Sequence, residues 1–353
     1  MKTKKILALL LSLCLMLGML AGCGSEAAST AQESAAAAST ATAATGEYPT
    51  KNISGIIQWG AGGGTDSLMR PLGSLAEKEL GVSIVMENKT GGTGSIATQY
   101  VYDQAADGYT LLLGAENPQL YKALDIIDLT YSDFVPVFVI GDETVGVVVG
   151  KNSPYSTLTE IIDAALAAPG TIKLSTTGEG GLPWEVASLL TSVTGATFNQ
   201  IPYDSDATAK TAVLNGECDF TICKVQSGIE DYKAGDLKYL SMLALEPVAQ
   251  LEDIPLITAE YPEFEQYLPW GPFYGVFVKA GTDQAVVDTL AAAFSKAFQD
   301  QSYQDLLASY NINALGLTGT EAQEYLNSWQ KNTVTALVNS GAVTKTLAEL
   351  GIE

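Results

Sequence analysis

The chain contains no histidine at any position. That single absence removes Ser-His-Asp and Cys-His catalysis and every His-ligated zinc site. Arginine is reduced to one residue, Arg70, and 18 Lys and Arg stand against 40 Asp and Glu, for a net charge of −22. A basic footprint is missing, so no nucleic-acid partner is expected. Of 4 cysteines, Cys14 and Cys23 lie near the N-terminus. Cys218 and Cys223 bracket one strand-like run. Five residues of strand span roughly 16 Å, beyond disulfide reach, so both are expected as free, largely buried thiols. No Gly-x-Ser-x-Gly elbow or Walker pattern occurs, and Gly60 and Gly62 are followed by Thr65, which breaks Gly-x-Gly-x-x-Gly. Asp204, Asp206 and Thr208 resemble the start of a calcium loop, but Ala209 stands where glycine is needed and Asn215 where glutamate is. No catalytic residue, metal or cofactor is expected, and binding is favoured over catalysis.

What is present begins with a leader. Lys2, Lys4 and Lys5 precede the apolar run Ile6 to Ala21, long enough for a signal h-region and short for a membrane span. It ends in Leu20-Ala21-Gly22-Cys23, which resembles a bacterial lipobox; an ordinary signal peptide and an uncleaved anchor are the plainer alternatives. Residues 1–22 are read as the signal peptide, and Cys23 as the lipidated residue that tethers the protein to the outer face of a membrane. Their removal takes three lysines and no acid, and the net charge from −22 to −25. Residues 23–47 are the lipidated Cys and a tether of Ala, Ser, Thr, Gly, Gln and Glu, unable to bury a core. Such a chain reaches about 27 Å r.m.s.. The location expected is extracytoplasmic, at the cell membrane. About 306 residues remain, enough for two lobes, with no further apolar run long enough to span a membrane.

The stretch Gln58-Trp59-Gly60-Ala61-Gly62-Gly63-Gly64-Thr65-Asp66 follows an apolar strand, Ile53–Trp59, and precedes a helical pattern, Ser67–Leu80. A strand, a glycine loop and a helix start together make an anion site, because uncapped N–H groups and the helix dipole favour negative charge. Downstream, strand-like and helix-like segments alternate, ending in helical patterns at Gln284–Phe298, Gln301–Tyr310, Thr320–Asn339 and Val343–Leu350. This order predicts mostly parallel α/β lobes. Two runs lack a crossover helix, Val135 to Val149 and Gly271 to Val278. They are read as hinge strands joining lobe 1 (48–147 plus 275–353) to lobe 2 (148–274), with the ligand in the cleft between.

Several motifs carry a family likeness. They are Tyr48-Pro49-Thr50-Lys51, Gly60-Ala61-Gly62-Gly63-Gly64-Thr65-Asp66, Met86-Glu87-Asn88-Lys89-Thr90-Gly91-Gly92, Ala106-Asp107-Gly108-Tyr109-Thr110-Leu111-Leu112, Asn117-Pro118-Gln119-Leu120-Tyr121 and Ile201-Pro202-Tyr203. In this order and spacing the chain from Tyr48 onward resembles the solute-binding proteins of tripartite tricarboxylate transporters, the TctC or Bug family. The resemblance implies a type II periplasmic-binding-protein-like α/β fold of two lobes on two hinge strands. It implies a monomer that closes on a small di- or tricarboxylate or related organic acid and delivers it to a permease of one large and one small subunit. One ligand carboxylate would be held by Ala61, Gly62, Gly63, Gly64, Thr65 and Asp66 from one loop and Ser175, Thr176, Thr177 and Gly178 from another. The sequence departs from the family at Gln58-Trp59 (usually Pro-Phe), at Cys223-Lys224 and at Asp204.

Each residue also has a plainer reading. Asp66 is a helix N-cap, alone or with pocket lining. Ser175 to Thr177 are turn residues or pocket lining. Lys224 is a solvated strand end, a partner of Asp204, or the cation that meets a second ligand carboxylate. Trp59, Trp270, Phe273 and Tyr274 are core or ligand contacts, Tyr203 and Ala115 are read as ligand contacts, Glu116 and Glu179 are solvated loop acids or pocket lining, and Arg70 is structural. Two rival functions stay open: a ligand-sensing subunit for a membrane sensor kinase, and a binder of an amino acid or other zwitterionic or cationic solute, suggested by Asp204, Glu116 and Glu179.

Overall fold

A computed structural model describes residues 48–352 other than Asp204. The expected signal peptide, Cys23 and tether lie outside the described residues. From the N-terminus run β1 (Ile53–Ile57), α1 (Gly64–Leu80), β2 (Ile84–Asn88), α2 (Ser95–Tyr102), β3 (Thr110–Ala115), β4 (Phe134–Glu143) and β5 (Val145–Gly150). Then follow α3 (Leu158–Ala167), β6 (Lys173–Thr176), α4 (Leu182–Thr194), β7 (Asn199–Pro202), α5 (Asp206–Leu214), β8 (Thr221–Lys224), α6 (Val225–Lys233) and β9 (Leu237–Met242). The chain closes with α7 (Ile257–Glu260), β10 (Phe273–Lys279), α8 (Gln284–Phe298), α9 (Gln301–Ser309), β11 (Ile312–Leu317) and α10 (Gly319–Asn339).

One six-stranded sheet has the order β11-β4-β10-β3-β1-β2. Its apolar faces are covered on one side by α1 and α8, whose Leu68, Leu72, Leu290 and Phe294 share a cluster with Ile57 and Val276. A second region joins β8-β5-β9 to β6-β7 through a parallel bridge between Leu174 and Phe220. Among the described residues parallel pairing is found for β1 with β2 and β3, β6 with β7, that bridge, and a second bridge between Met242 and Leu256. β10 and β11 run antiparallel to their partners, and so does β5 between β8 and β9. The expectation of mostly parallel sheets is therefore corrected: a strand that leaves a sheet and another that returns to it have opposite directions.

The chain leaves the first sheet at Glu143 and enters the second at Val145. The anticipated lobe boundary at 147/148 thus falls inside β5, and β10 already pairs in the first sheet from Phe273. The two crossings lie side by side, with Glu143 N–H donating to Pro272 O at 2.9 Å. Helix α10 packs on both β4 and α4, so the C-terminal segment touches both sheets. The helix expected at 343–350 is one turn, closed by Gly351 at φ +70°. Cys218 and Cys223 are free and buried, as expected.

A methyl group at Gly271 would collide with the Glu143 carbonyl oxygen. Gly271→Ala should therefore destabilise the protein by about 1–3 kcal/mol, read as a lower urea midpoint. An unchanged midpoint would mean that the two crossings are not held this closely.

Candidate ligand-binding cleft

The glycine loop is shaped from within. Gly63 N–H donates to Gly60 O at 3.2 Å, and Gly62 takes φ +77°, which favours glycine. Helix α1 then begins at Gly64 with no side-chain cap on its first turn. Asp66 reaches back to accept the Gly62 N–H at 3.0 Å. It also accepts Arg70 Nε at 2.7 Å and Asn88 Nδ2 at 2.8 Å. Burial alone would raise its pKa, but the Gly62 amide, Asn88 and Arg70 outweigh that and hold the carboxyl below its usual range. Asp66 and Arg70 thus clamp the loop, and the first-turn N–H groups of α1 stay open to an anion.

Against that helix start stand three side chains from three strand ends. Lys224, at the end of β8, lies with Nζ 3.4 Å from Glu143 Oε2 and donates to the Tyr274 hydroxyl at 3.2 Å. Tyr274 in turn donates to Glu143 Oε2. A methyl group at Gly64 would sit 2.8 Å from the Tyr274 hydroxyl and 3.8 Å from Lys224 Nζ. Burial pushes Tyr274 well above the usual phenol value, with Glu143 adding to it, so it remains a donor. Burial would lower the Lys224 pKa, but Tyr274, Glu143, Asp206 and Glu116 around it push it well above the ordinary lysine value. Lys224, on the second sheet, therefore stands against the glycine loop of the first as a fixed cation. Its anionic partner is Glu143. Asp204, weighed as an alternative partner, lies outside the described residues.

The second loop, 175–181, precedes α4, whose N-cap Gly181 also lacks a side-chain cap bond. Thr176 Oγ1 accepts the Gly178 N–H at 3.3 Å. Asn117 Nδ2, just past β3, donates to Gly180 O at 3.1 Å and bridges the two regions. Next to it Glu116 is 5% exposed, and Glu185, on the first turn of α4, is 0% exposed. Glu116 Oε2 and both Glu185 oxygens have no hydrogen-bond partner. Burial pushes Glu116 up to about 7, against the lowering pull of Lys224. Burial, then the neighbouring Glu116, pushes Glu185 well above the usual range.

The other expected residues divide. Ala61 to Gly64 and Thr65 form the open loop and the first turn of α1. Thr176, Thr177 and Gly178 form the turn before α4. Ser175 donates its hydroxyl to Ala209 O at 2.8 Å, so it serves the backbone. Ala115 donates its N–H to Gln58 Oε1 and accepts Tyr131 OH through its carbonyl. Phe273 is corrected to core: it is 0% exposed and packs on Tyr131, Tyr325 and Trp329. Trp270 likewise stacks on Trp329 and donates to Thr333. Half-buried Trp59 packs against the first sheet's core, and Tyr203 packs beside Cys218. Glu179 is exposed. Glu143 and Glu185 were missed. Each has a signal: an acid closing the apolar run of β4, and an acid one turn into a helix that follows a glycine loop. Of two surface cavities of about 340 and 390 Å³, one lies away from this site beside Gln119 and Asn327, and the other borders the second loop at Glu179, beside Trp184 and Ser340.

Two outcomes follow from these charges. Asp66→Asn should cost about 1–3 kcal/mol at pH 7. The Asp66 contribution is full above its unfolded pKa near 4 and fades as pH falls through its lower folded value. The stability gap between parent and variant should therefore narrow below about pH 4; a gap independent of pH would contradict the clamp. Glu116 and Glu185 act in the opposite sense. Their raised folded pKa values mean that the unliganded protein loses stability as pH rises from about 4.5 towards 7. Glu116→Gln and Glu185→Gln should flatten that decline in a melting series from pH 5 to 8.

Comparison with known proteins is consistent with this architecture. A profile described as tripartite tricarboxylate transporter family receptor matches residues 68–339. Protein BugT of Bordetella pertussis is 26% identical over 284 residues, covering 79% of this chain and 86% of that one. The structure of the periplasmic binding protein BugD superposes with a TM-score of 0.73 at 22% identity, covering 84% of this chain and 99% of that one. MatC from Rhodopseudomonas palustris, with bound malate, gives a TM-score of 0.68 at 22% identity, covering 84% of this chain and all 100% of that one. The fold is that of the periplasmic binding proteins, and the chain belongs to the tripartite tricarboxylate transporter receptor family, TctC, a family of solute receptors and not of enzymes.

Proposed function

We propose that this protein is an extracytoplasmic receptor that takes up a small carboxylate between its two sheets and presents it to a tripartite tricarboxylate transporter permease of one large and one small subunit. In this reading Cys23 carries the lipid that keeps the receptor at the membrane. The observation that carries the proposal is the uncapped first turn of α1 with Lys224 Nζ and the Tyr274 hydroxyl set against Gly64. Open N–H groups, a helix dipole and an ammonium favour a carboxylate over a neutral group. Relatives of the same fold have been solved with adipate and with malate. The lobes in this reading are the two sheets with their helices, hinged where Glu143–Val145 and Gly271–Phe273 cross. Closure about those crossings would form the surface the permease reads.

A thermal-shift panel of mono-, di- and tricarboxylates and amino acids tests the reading. A true ligand at 100 times its Kd should stabilise the protein by about 2.7 kcal/mol. Gly64→Ala, which sets a methyl against Tyr274, should weaken that ligand about ten-fold or more. No stabilisation by any carboxylate, or an unaffected Gly64→Ala variant, would overturn it.

A further inference from the structure

We propose that Glu116 and Glu185 form a cation subsite in the cleft, so that the preferred ligand carries an ammonium group as well as the carboxylate held at α1. The inference rests on the carboxylate reading above and adds the second half of the ligand. Glu116 follows β3 in the first sheet, and Glu185 stands on α4 of the second region. The Asn117 amide, bound to Gly180 O, ties the two elements at that point. Three of the four carboxylate oxygens are buried without a partner, and the fourth accepts only the neighbouring Asn117 amide at 3.3 Å.

A buried carboxylate without a donor is costly enough to need either a proton or a cation. Among the described residues no cation hydrogen-bonds to either acid, although Lys224 is near enough to pull on both. Lys224 is committed to Glu143 and Tyr274. Lys210 is paired with Asp231. Arg70, the one arginine, is bound to Asp66. Among the described residues no group of three acidic, His or Cys side chains is placed to hold a metal ion. An ammonium has three donors and one charge, and it matches the open oxygens. A second ligand carboxylate would instead lie against two acids that its charge keeps protonated, and would gain no counter-charge there. Burial raises the pKa of both acids, with Glu116 adding to Glu185, and an arriving ammonium would relieve that cost.

The test uses ligands that differ only by the amine: aspartate against succinate, glutamate against glutarate, β-alanine against propionate. Calorimetric titration of the protein should find, in at least one pair, that the amine-bearing member binds about ten-fold or more tightly, the worth of one charge-assisted hydrogen bond. Glu116→Gln and Glu185→Gln should each remove that preference while leaving the amine-free member unchanged or tighter. Glu185→Leu serves where Gln does not fold. Amine-free members that bind as well as every amine-bearing one would overturn the subsite and leave the carboxylate reading standing. Variants that weaken both members of a pair alike would also overturn it, since that is a structural effect. If no member of any pair binds, both readings fall together.

Discussion

The contact among Lys224, Glu143 and Tyr274 is the constraint on which the cleft depends. Each residue closes or opens a different strand, β8, β4 and β10; Glu143 and Tyr274 stand at the two crossings, and Lys224 pairs beside them with Val145. Glu143 is 3% exposed, so its charge requires a partner in place. Lys224 supplies the charge and Tyr274 a hydroxyl, and together they fix the geometry of the crossing. Because the same hydroxyl rests against Gly64, the start of α1 is positioned by the hinge itself. In the proposed reading hinge and anion site are one structure, which would link ligand capture to lobe closure physically.

The rest of the site follows from helix ends. Two glycine loops each deliver a helix without a side-chain cap, α1 from the first sheet and α4 from the second region. Helix starts are weak anion sites when exposed and stronger when water is excluded. The strongly acidic chain needs such backbone charge, since it has few cations to give. What differs between the two is the acid in the first turn. Asp66 is folded back into its own loop by Gly62, Asn88 and Arg70, whereas Glu185 has nothing to bind. One acid is structural and the other is buried without a partner.

Much of this was legible in the sequence, and the misses have physical reasons. The glycine loop, the helix after it and the pair of crossing strands follow from composition and periodicity, and their positions hold within a few residues. β11 escaped detection because its Ile312–Leu317 segment is an edge strand with one buried, two exposed and three half-buried residues, carrying no alternation to read. The antiparallel pairings escaped because strand direction depends on which sheet a strand returns to, which local sequence does not encode. Phe273 was misplaced because aromatic residues at a hinge suit core and cleft equally, and only the packing of Tyr131, Tyr325 and Trp329 decides. Glu143 and Glu185 were hidden among forty acids; burial distinguishes them, and burial is a tertiary property.

The most direct measurement is a crystal structure of the protein with the tightest ligand of the carboxylate panel. The account predicts a ligand carboxylate within hydrogen-bond distance of the first-turn N–H groups of α1 and of Lys224 Nζ, with Glu143 and Tyr274 still in contact. A carboxylate bound elsewhere, with the start of α1 facing only water, would contradict it.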